Sequence, residues 1–439
     1  MIQKGTSRMA KINVRDRNKN NPDKKPNWEY RFEAAKIDGK RKHISKAGFR
    51  TKKEALEAGT KALAEYNNAG LLFEPTEISL SDYLDYYFEQ YVKINLKYNT
   101  QLNKISIFEN HLKPNLGHYK LKSLNSSVIQ EYANRLKLNG LSKSSIEGIL
   151  SSLSAALDYA VEPLHYIQNN PMQYVKMPKI EKQPRERIIL EPEEWEQIIA
   201  RFPEGNRFYI SLMIGFYTGM RISEVFALTW DDIDFENKTI DINKQVVKRN
   251  YGVDVREVLK VKGKKEEKSS WYFQSLKTDT SKAVIKFGET LNDALKAEQI
   301  RQMKNELMYG ECYTIHVLKT EKDEKNNTIQ RIVPVQKCVR PSLPRIKLIC
   351  VAENGDYTST DSFKYASRII HHELGIAFDF HSLRHTHATR LIEAGISPKT
   401  VQTRLRHQKI KTTLQTYVHN TEQMEEDAVE VFEKKAKGI

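Results

Sequence analysis

Cysteine is scarce in this sequence. Only Cys312, Cys338 and Cys350 occur in 439 residues, widely spaced and with no C-x-x-C pair. A disulfide framework and a structural zinc site are therefore not expected, and a reducing compartment fits. Long apolar runs are missing as well. No stretch approaches the ~18–20 apolar residues that a membrane span needs. The opening segment MIQKGTSRMAKINV lacks the apolar core of a signal peptide. These absences predict a cytoplasmic protein with no membrane partner. Acidic residues are also in deficit, 56 against 71 Lys and Arg, which leaves a formal net charge of +15. A polyanion is the partner that such a balance favours.

The charge is unevenly spread. Residues 1–50 hold fifteen basic and five acidic side chains, whereas Thr421–Ile439 hold six acids and three lysines. The basic end points to nucleic acid and the acidic end to a protein contact, although any charge run can simply be a solvated face.

Pattern along the chain divides it further. WEYRFEAAKI and KRKHISKAGF read as strands, and Asp38-Gly39 between them is a hairpin signal. TKKEALEAGTKALAEYNNAG then reads as a helix closed by Gly70. Residues 78–175 read as four helices. The first spaces Tyr83, Tyr86, Tyr87 and Tyr91 along one face, which is ordinarily a core stripe. Asn170-Pro171 is expected to end the last of the four. MPKIEKQPRER, residues 177–187, reads as a linker. Beyond it PEEWEQIIARF starts a helix at Pro192, RFYISLMIGFYTG is a buried apolar helix, and DDIDFENKTIDI turns into a strand. Residues 250–350 look less regular. Within them, the stretch from Glu311 to Cys350 is rich in β-branched residues and charges and reads as a strand pair.

Two segments carry chemistry. TGMRISE puts Arg221 straight after Thr218-Gly219-Met220 at a helix start, a favourable anion site that the glycine's sharp turn allows, with Glu224 one turn on to orient it. The bland reading of RISE is a surface helix with an i,i+3 ion pair. HSLRHTHATRLIEAGISPKTVQTRLRHQKIKTTLQTYVH gathers His381, Arg384, His385, His407 and Tyr417. His381, Arg384 and His385 are spaced i, i+3, i+4 and share one helix face. A metal reading of the two histidines lacks the glutamate of HExxH and a third ligand. Arginine donates bidentately to phosphate and stays charged, so two arginines from separate segments suit a transition state rich in negative oxygen. A tyrosine ionises near pH 10, and neighbouring cations and an imidazole make it a usable nucleophile.

Together these segments resemble the active site of the tyrosine recombinases, the phage integrase family. The resemblance implies Arg221, His381, Arg384, His407 and Tyr417 as catalytic residues, with Glu224 and His385 supporting. The family's lysine sits on a β-hairpin. SLKTDTSKAVIKF resembles that strand pair and puts the lysine at Lys277, with Lys282 and Lys286 as rivals. The family usually has glycine before the second histidine. Here Arg406 stands there, and an added DNA phosphate contact is expected of it. The resemblance further implies a multidomain chain, mainly α with small β-sheets. Its parts are a sheet-plus-helix arm-binding domain (1–72), a four-helix core-binding domain (78–176) and a mixed α+β catalytic domain (188–420, with an insertion around 305–350). A tail helix (421–439) packs on a neighbouring protomer or on its own domain. Arm DNA contacts are expected from Arg31, Lys40, Arg41 and Lys42.

The function so implied is integration, and excision, of a phage or conjugative element through a 3′-phosphotyrosyl intermediate. No cofactor, metal or ATP is needed. The implied partners are double-stranded DNA at core and arm sites, a homotetramer, an excisionase and a host DNA-bending protein. A Xer-type resolvase of the same family and a catalytically inactive DNA-binding regulator are the alternatives. On this reading, deleting residues 1–70 spares cleavage at the core site and weakens integration. Integration at an undiminished level in the truncated chain would overturn the arm assignment.

Overall fold

The computed structural model describes residues 12–19, 25–37, 40–67, 77–180, 187–251, 253–261, 268–276, 282–323, 326–339 and 342–417, with a few single positions beyond. Within these, the side chains of 34–37, 40–42, 64–67, 260–261, 412 and 415–417 are not described. The chain divides into two compact units, 1–92 with 104–180, and 93–103 with 181–439.

The first unit opens with a three-stranded antiparallel sheet in the order β1 (Asn13–Asp16), β2 (Trp28–Ile37) and β3 (Lys40–Phe49). β2 and β3 coincide with the two runs read as strands, while Asp38 and Gly39 lie outside the described residues. Alternation along β2 buries Tyr30 and Phe32 on the side that α1 (Lys52–Asn67) covers. Arg31 points the other way and is exposed, with Asn13 of β1 and Ser45 of β3 as its cross-strand neighbours. The side chains of Lys40, Arg41 and Lys42 lie outside the described residues. So does Gly70, expected to close α1.

Helices follow along the chain: α2 (Leu80–Tyr87), α3 (Lys93–Asn95), α4 (Tyr98–Ile107), α5 (Lys113–Leu116), α6 (Ser126–Leu138) and α7 (Lys143–Val161), of which α3 and the start of α4 belong to the second unit. Ser79, Asn125 and Ser142 cap α2, α6 and α7, each accepting a backbone N–H three residues on. Tyr83 and Tyr87 are buried and Tyr91 is about a third exposed, so the tyrosine stripe is mostly core. The end of α7 corrects the sequence reading. The helix stops at Val161, because Pro163 follows two residues later and disfavours helical geometry at Glu162. Asn170 instead caps a separate short turn, Pro171–Tyr174.

The second unit holds α8 (Pro192–Arg201), α9 (Tyr209–Thr218) and the single turn α10 (Ile222–Val225). Then come β4 (Ile233–Asp234), β5 (Thr239–Ile242), β6 (Lys244–Asn250), α11 (Val258–Val261), β7 (Ser269–Ser275) and β8 (Ala283–Lys286). After α12 (Glu289–Tyr309) run β9 (Thr314–Lys322), β10 (Thr328–Gln336) and β11 (Arg345–Ile346). The last helices are α13 (Thr360–Glu373), α14 (Phe380–Glu393), α15 (Pro398–Leu405) and α16 (Ile410–Tyr417). The strands form two sheets, β11-β9-β10-β7-β6 and β4-β5-β8.

Two features of the 250–350 region differ from expectation. α12 is a regular 21-residue helix that the sequence reading left out. Among the described residues the segment SLKTDTSKAVIKF does not pair with itself: β7 pairs with β6 and β10, whereas β8 pairs with β5. Their common partner is nearly continuous, because Asn243 alone separates β5 from β6, so the return arm pairs with it in two pieces. The expected strand pair in the insertion is present as β9 and β10, antiparallel from Thr314↔Gln336 to Lys322↔Thr328.

The core of this unit runs from α8 and α9 through the sheets to α13 and α14. α9 and α14 approach closely at Gly215. A Cβ built there would lie 2.8 Å from both Leu383 and Phe380 side chains. Gly215→Val is therefore expected to push α14 away from α9 and destabilise the chain by about 1–3 kcal/mol. Denaturant unfolding checks this, and an unchanged midpoint would show that the approach is not tight.

Candidate active site

Three helix ends converge. α9 ends at Gly219, which adopts φ 65° in the left-handed region that glycine tolerates best. Met220 is buried, and Arg221 then becomes the N-cap of α10. α14 carries His381, Arg384 and His385 in its first turns, after the cap Asp379. α15 ends in a Schellman motif. Arg406 N–H donates to Thr403 O at 3.0 Å and His407 N–H to Gln402 O at 3.1 Å. Gln402 returns a bond from Nε2 to His407 O at 2.9 Å, which fixes the chain on both sides of the turn.

Arg384 joins these ends. Its side chain is 1 % exposed, and Nη1 donates to Gly219 O at 2.7 Å while Nη2 donates to Leu405 O. Arg221 is held by Glu224. Oε1 accepts from Arg221 Nη1 at 2.8 Å and Oε2 from the Arg221 backbone N–H at 3.0 Å. His407 Nδ1 lies 2.9 Å from Thr413 Oγ1, which ties it to α16. Tyr417 is the last residue of α16, one turn beyond Thr413. Its side chain lies outside the described atoms, and so does Lys277. Lys282 and Lys286, the rivals to Lys277, are both exposed.

Electrostatics place the groups around one spot. Burial, then Arg384 and Arg221, hold the His407 pKa down at about 4. His381 is lowered by partial desolvation first, then by Arg384, with Arg221 adding to it. His385 packs edge-on to His381, with ring centroids 4.7 Å apart, and is also lowered to about 4, by burial first. All three imidazoles are thus neutral in the folded chain at pH 7, beside at least two fixed cations.

Arg406 does not point outward, as a DNA contact would. It occupies the left-handed region (φ 58°, ψ 43°), is 5 % exposed, and donates from Nη2 to Glu224 Oε2 at 2.6 Å. The turn that glycine usually makes is kept with an arginine in it.

Sequence reasoning missed two residues, His387 and Arg404. His387 Nδ1 donates to Phe216 O at 2.9 Å, and its Nε2 accepts from Arg404 Nε at 2.9 Å. Arg404 also donates to Lys286 O and Tyr217 O, so it ties α15 to β8 and α9. No motif marked either one. His387 stands two residues past His385, on a different face of α14, among residues typical of any helix. The described residues contain no cluster of His, Cys, Asp and Glu suited to a metal ion. They also contain no helix long and apolar enough to cross a membrane.

Comparison with known proteins decides the family. The model of the phage integrase family matches residues 189–424, more than half of the chain. The chain belongs to the phage integrase family. An N-terminal SAM-like domain of phage integrases matches residues 79–137, and an Arm DNA-binding domain matches 17–66. A XerC-like tyrosine recombinase of Caldanaerobacter subterraneus is 26% identical over 87% of this chain and 90% of its own length. The ICEBs1 integrase of Bacillus subtilis is 24% identical over 84% and 86%. In fold, the chain is similar to the Tn1549 transposon integrase, solved with a circular intermediate DNA. That likeness has a TM-score of 0.59 at 21% identity and covers 81% of this chain and 100% of that one. A lambda integrase dimer on a core site gives 0.51 at 18% identity, over 77% and 95%. The protein is accordingly a multidomain tyrosine recombinase of the integrase type, a DNA strand-transferring enzyme.

The buried imidazoles give this integrase an acid-sensitive site. His387 is lowered to about 4, by burial first and then by Arg404. The unfolded chain binds protons near pH 6.5 and the folded chain only near 4, so stability is lost as pH falls through that window. His387→Gln keeps a donor for Phe216 O and an acceptor for Arg404. The thermal midpoint of the wild-type chain is expected to fall on acidification from about pH 7 to about pH 5, and that of H387Q to fall less. Equal falls would mean that His387 is not held neutral by the fold.

Proposed function

We propose that Tyr417 attacks the scissile phosphate of an attachment site, forming a 3′-phosphotyrosyl bond and releasing a 5′-hydroxyl. One observation supports this most strongly: Arg221 and Arg384, from segments 163 positions apart, act electrostatically on both His381 and His407. Two cations fixed before the substrate arrives suit the negative charge that builds on the non-bridging oxygens. A neutral His407, held by Thr413 on the helix that ends in Tyr417, takes the phenol proton. His381 donates to a phosphate oxygen. A strand lysine, Lys277 by its motif, protonates the leaving 5′-oxygen. A second 5′-hydroxyl reverses the reaction on a new strand, with the bond energy kept in the phosphotyrosine.

Strand exchange between two duplexes calls for four protomers, so the working form is a homotetramer on DNA. Residues 1–72 hold arm sites through Arg31 and its basic neighbours, 78–176 grip the core site, 188–420 perform the chemistry, and 421–439 dock between protomers. An excisionase and a host DNA-bending protein set direction. Integration fits better than resolution of chromosome dimers, because the chain carries an Arm DNA-binding match at 17–66 ahead of the other two.

Tyr417→Phe is expected to retain DNA binding and to abolish covalent adduct on a suicide duplex, whereas Arg221→Ala is expected to slow adduct formation by roughly 10²–10³-fold. An adduct that persists in Y417F and disappears on changing another tyrosine would overturn the assignment.

A further inference from the structure

Glu224 is 2 % exposed and has two cationic partners of different character. Arg221 is 36 % exposed at its side chain and faces the site. Arg406 is sealed, with 2 % exposure on both sides of its ion pair with Glu224. The carboxylate is divided between them. Oε1 receives the Arg221 guanidinium at 2.8 Å, while Oε2 receives Arg406 at 2.6 Å and the Arg221 backbone N–H at 3.0 Å.

The backbone of Arg406 makes this placement notable. A non-glycine residue in the left-handed region is strained, and such strain persists only where the surroundings impose it. Here the Schellman bonds fix the turn, and the far end of the side chain meets a buried carboxylate. Among the described residues, Arg406 Nε and Nη1 have no hydrogen-bond partner, so the guanidinium is held through Nη2 and spends its charge on Glu224.

Charge accounting gives the arrangement a purpose. Arg221 and Glu224 alone would sum to zero beside the phosphate. Arg406 restores a net positive charge, and by occupying Oε2 it leaves Oε1 to align Arg221. We propose that Arg406 is a positioning residue for Arg221, acting through Glu224 by fixing the carboxylate and cancelling its charge. It does not touch DNA. The proposal rests on the reading that Arg221 binds the scissile phosphate.

The test uses the full chain and a suicide duplex carrying the core site, with single-turnover adduct formation and DNA affinity measured separately. Arg406→Gly suits the left-handed turn and keeps the fold. It is expected to slow adduct formation by about 10- to 100-fold, as loss of an outer partner of a site residue typically does, with DNA affinity little changed. Arg406→Lys, which keeps the charge, is expected to recover part of the rate. In the Glu224→Gln background the same Arg406→Gly change is expected to add roughly no more than twofold, because the path through the carboxylate is already cut. Three results would overturn the proposal. One is a wild-type rate in R406G, another is an R406K rate no better than R406G, and the third is a full additive loss with weakened DNA binding in the double variant, the mark of a direct phosphate contact. Failure of the recombinase reading itself looks different: the wild-type chain then forms no adduct at all.

Discussion

The site depends on a guanidinium that water cannot reach. Buried as it is, Arg384 must place its donors on protein acceptors or destabilise the fold. It finds them in the last carbonyls of two other helices, Gly219 O after α9 and Leu405 O at the end of α15. Those carbonyls are the groups that helix ends leave unsatisfied. One arginine on α14 therefore sets where Arg221 begins α10 and where His407 leaves α15. The close approach at Gly215 holds α14 near enough for this to happen.

Charge is the second constraint. Arg221, Arg384, Arg404 and Arg406 lie close enough together to depress their neighbours' proton affinity. Glu224 is the acidic partner shared by Arg221 and Arg406. The histidines respond by staying neutral, which suits proton exchange with a tyrosine more than a fixed positive charge would. A phosphate entering such a site supplies the negative charge that the fold withholds.

Much of this was legible in the sequence, for identifiable reasons. β2 and β3 were bounded by alternation and a turn dipeptide, and α9 by its apolar run and closing glycine. The His-x-x-Arg-His spacing fixed one face of α14 before any coordinates. What escaped depended on tertiary context. α12 mixes charged and apolar residues along its whole length, and its buried positions, Leu291, Leu295 and Glu298 among them, lie in the first half only. The end of α7 was put at Asn170-Pro171, although Pro163 acts sooner. SLKTDTSKAVIKF was read as one strand pair from its likeness to the family motif, while β7 and β8 both follow the β5–β6 arm. Arg406 was read as a DNA contact, since nothing in the sequence says that a left-handed turn aims its side chain inward at Glu224. His387 and Arg404 became visible only when α9, α15 and β8 met around them.

The central claim is that this constellation delivers a tyrosine to a phosphodiester. Its most direct test is chemical. The covalent complex formed on a suicide duplex is digested, and the nucleotide-bearing peptide is sequenced by mass spectrometry. The account predicts a peptide modified at Tyr417, joined to the 3′-phosphate of the cleaved strand, with a free 5′-hydroxyl on the other fragment. A modified peptide from elsewhere in the chain, or a 5′-phosphate linkage, would contradict it.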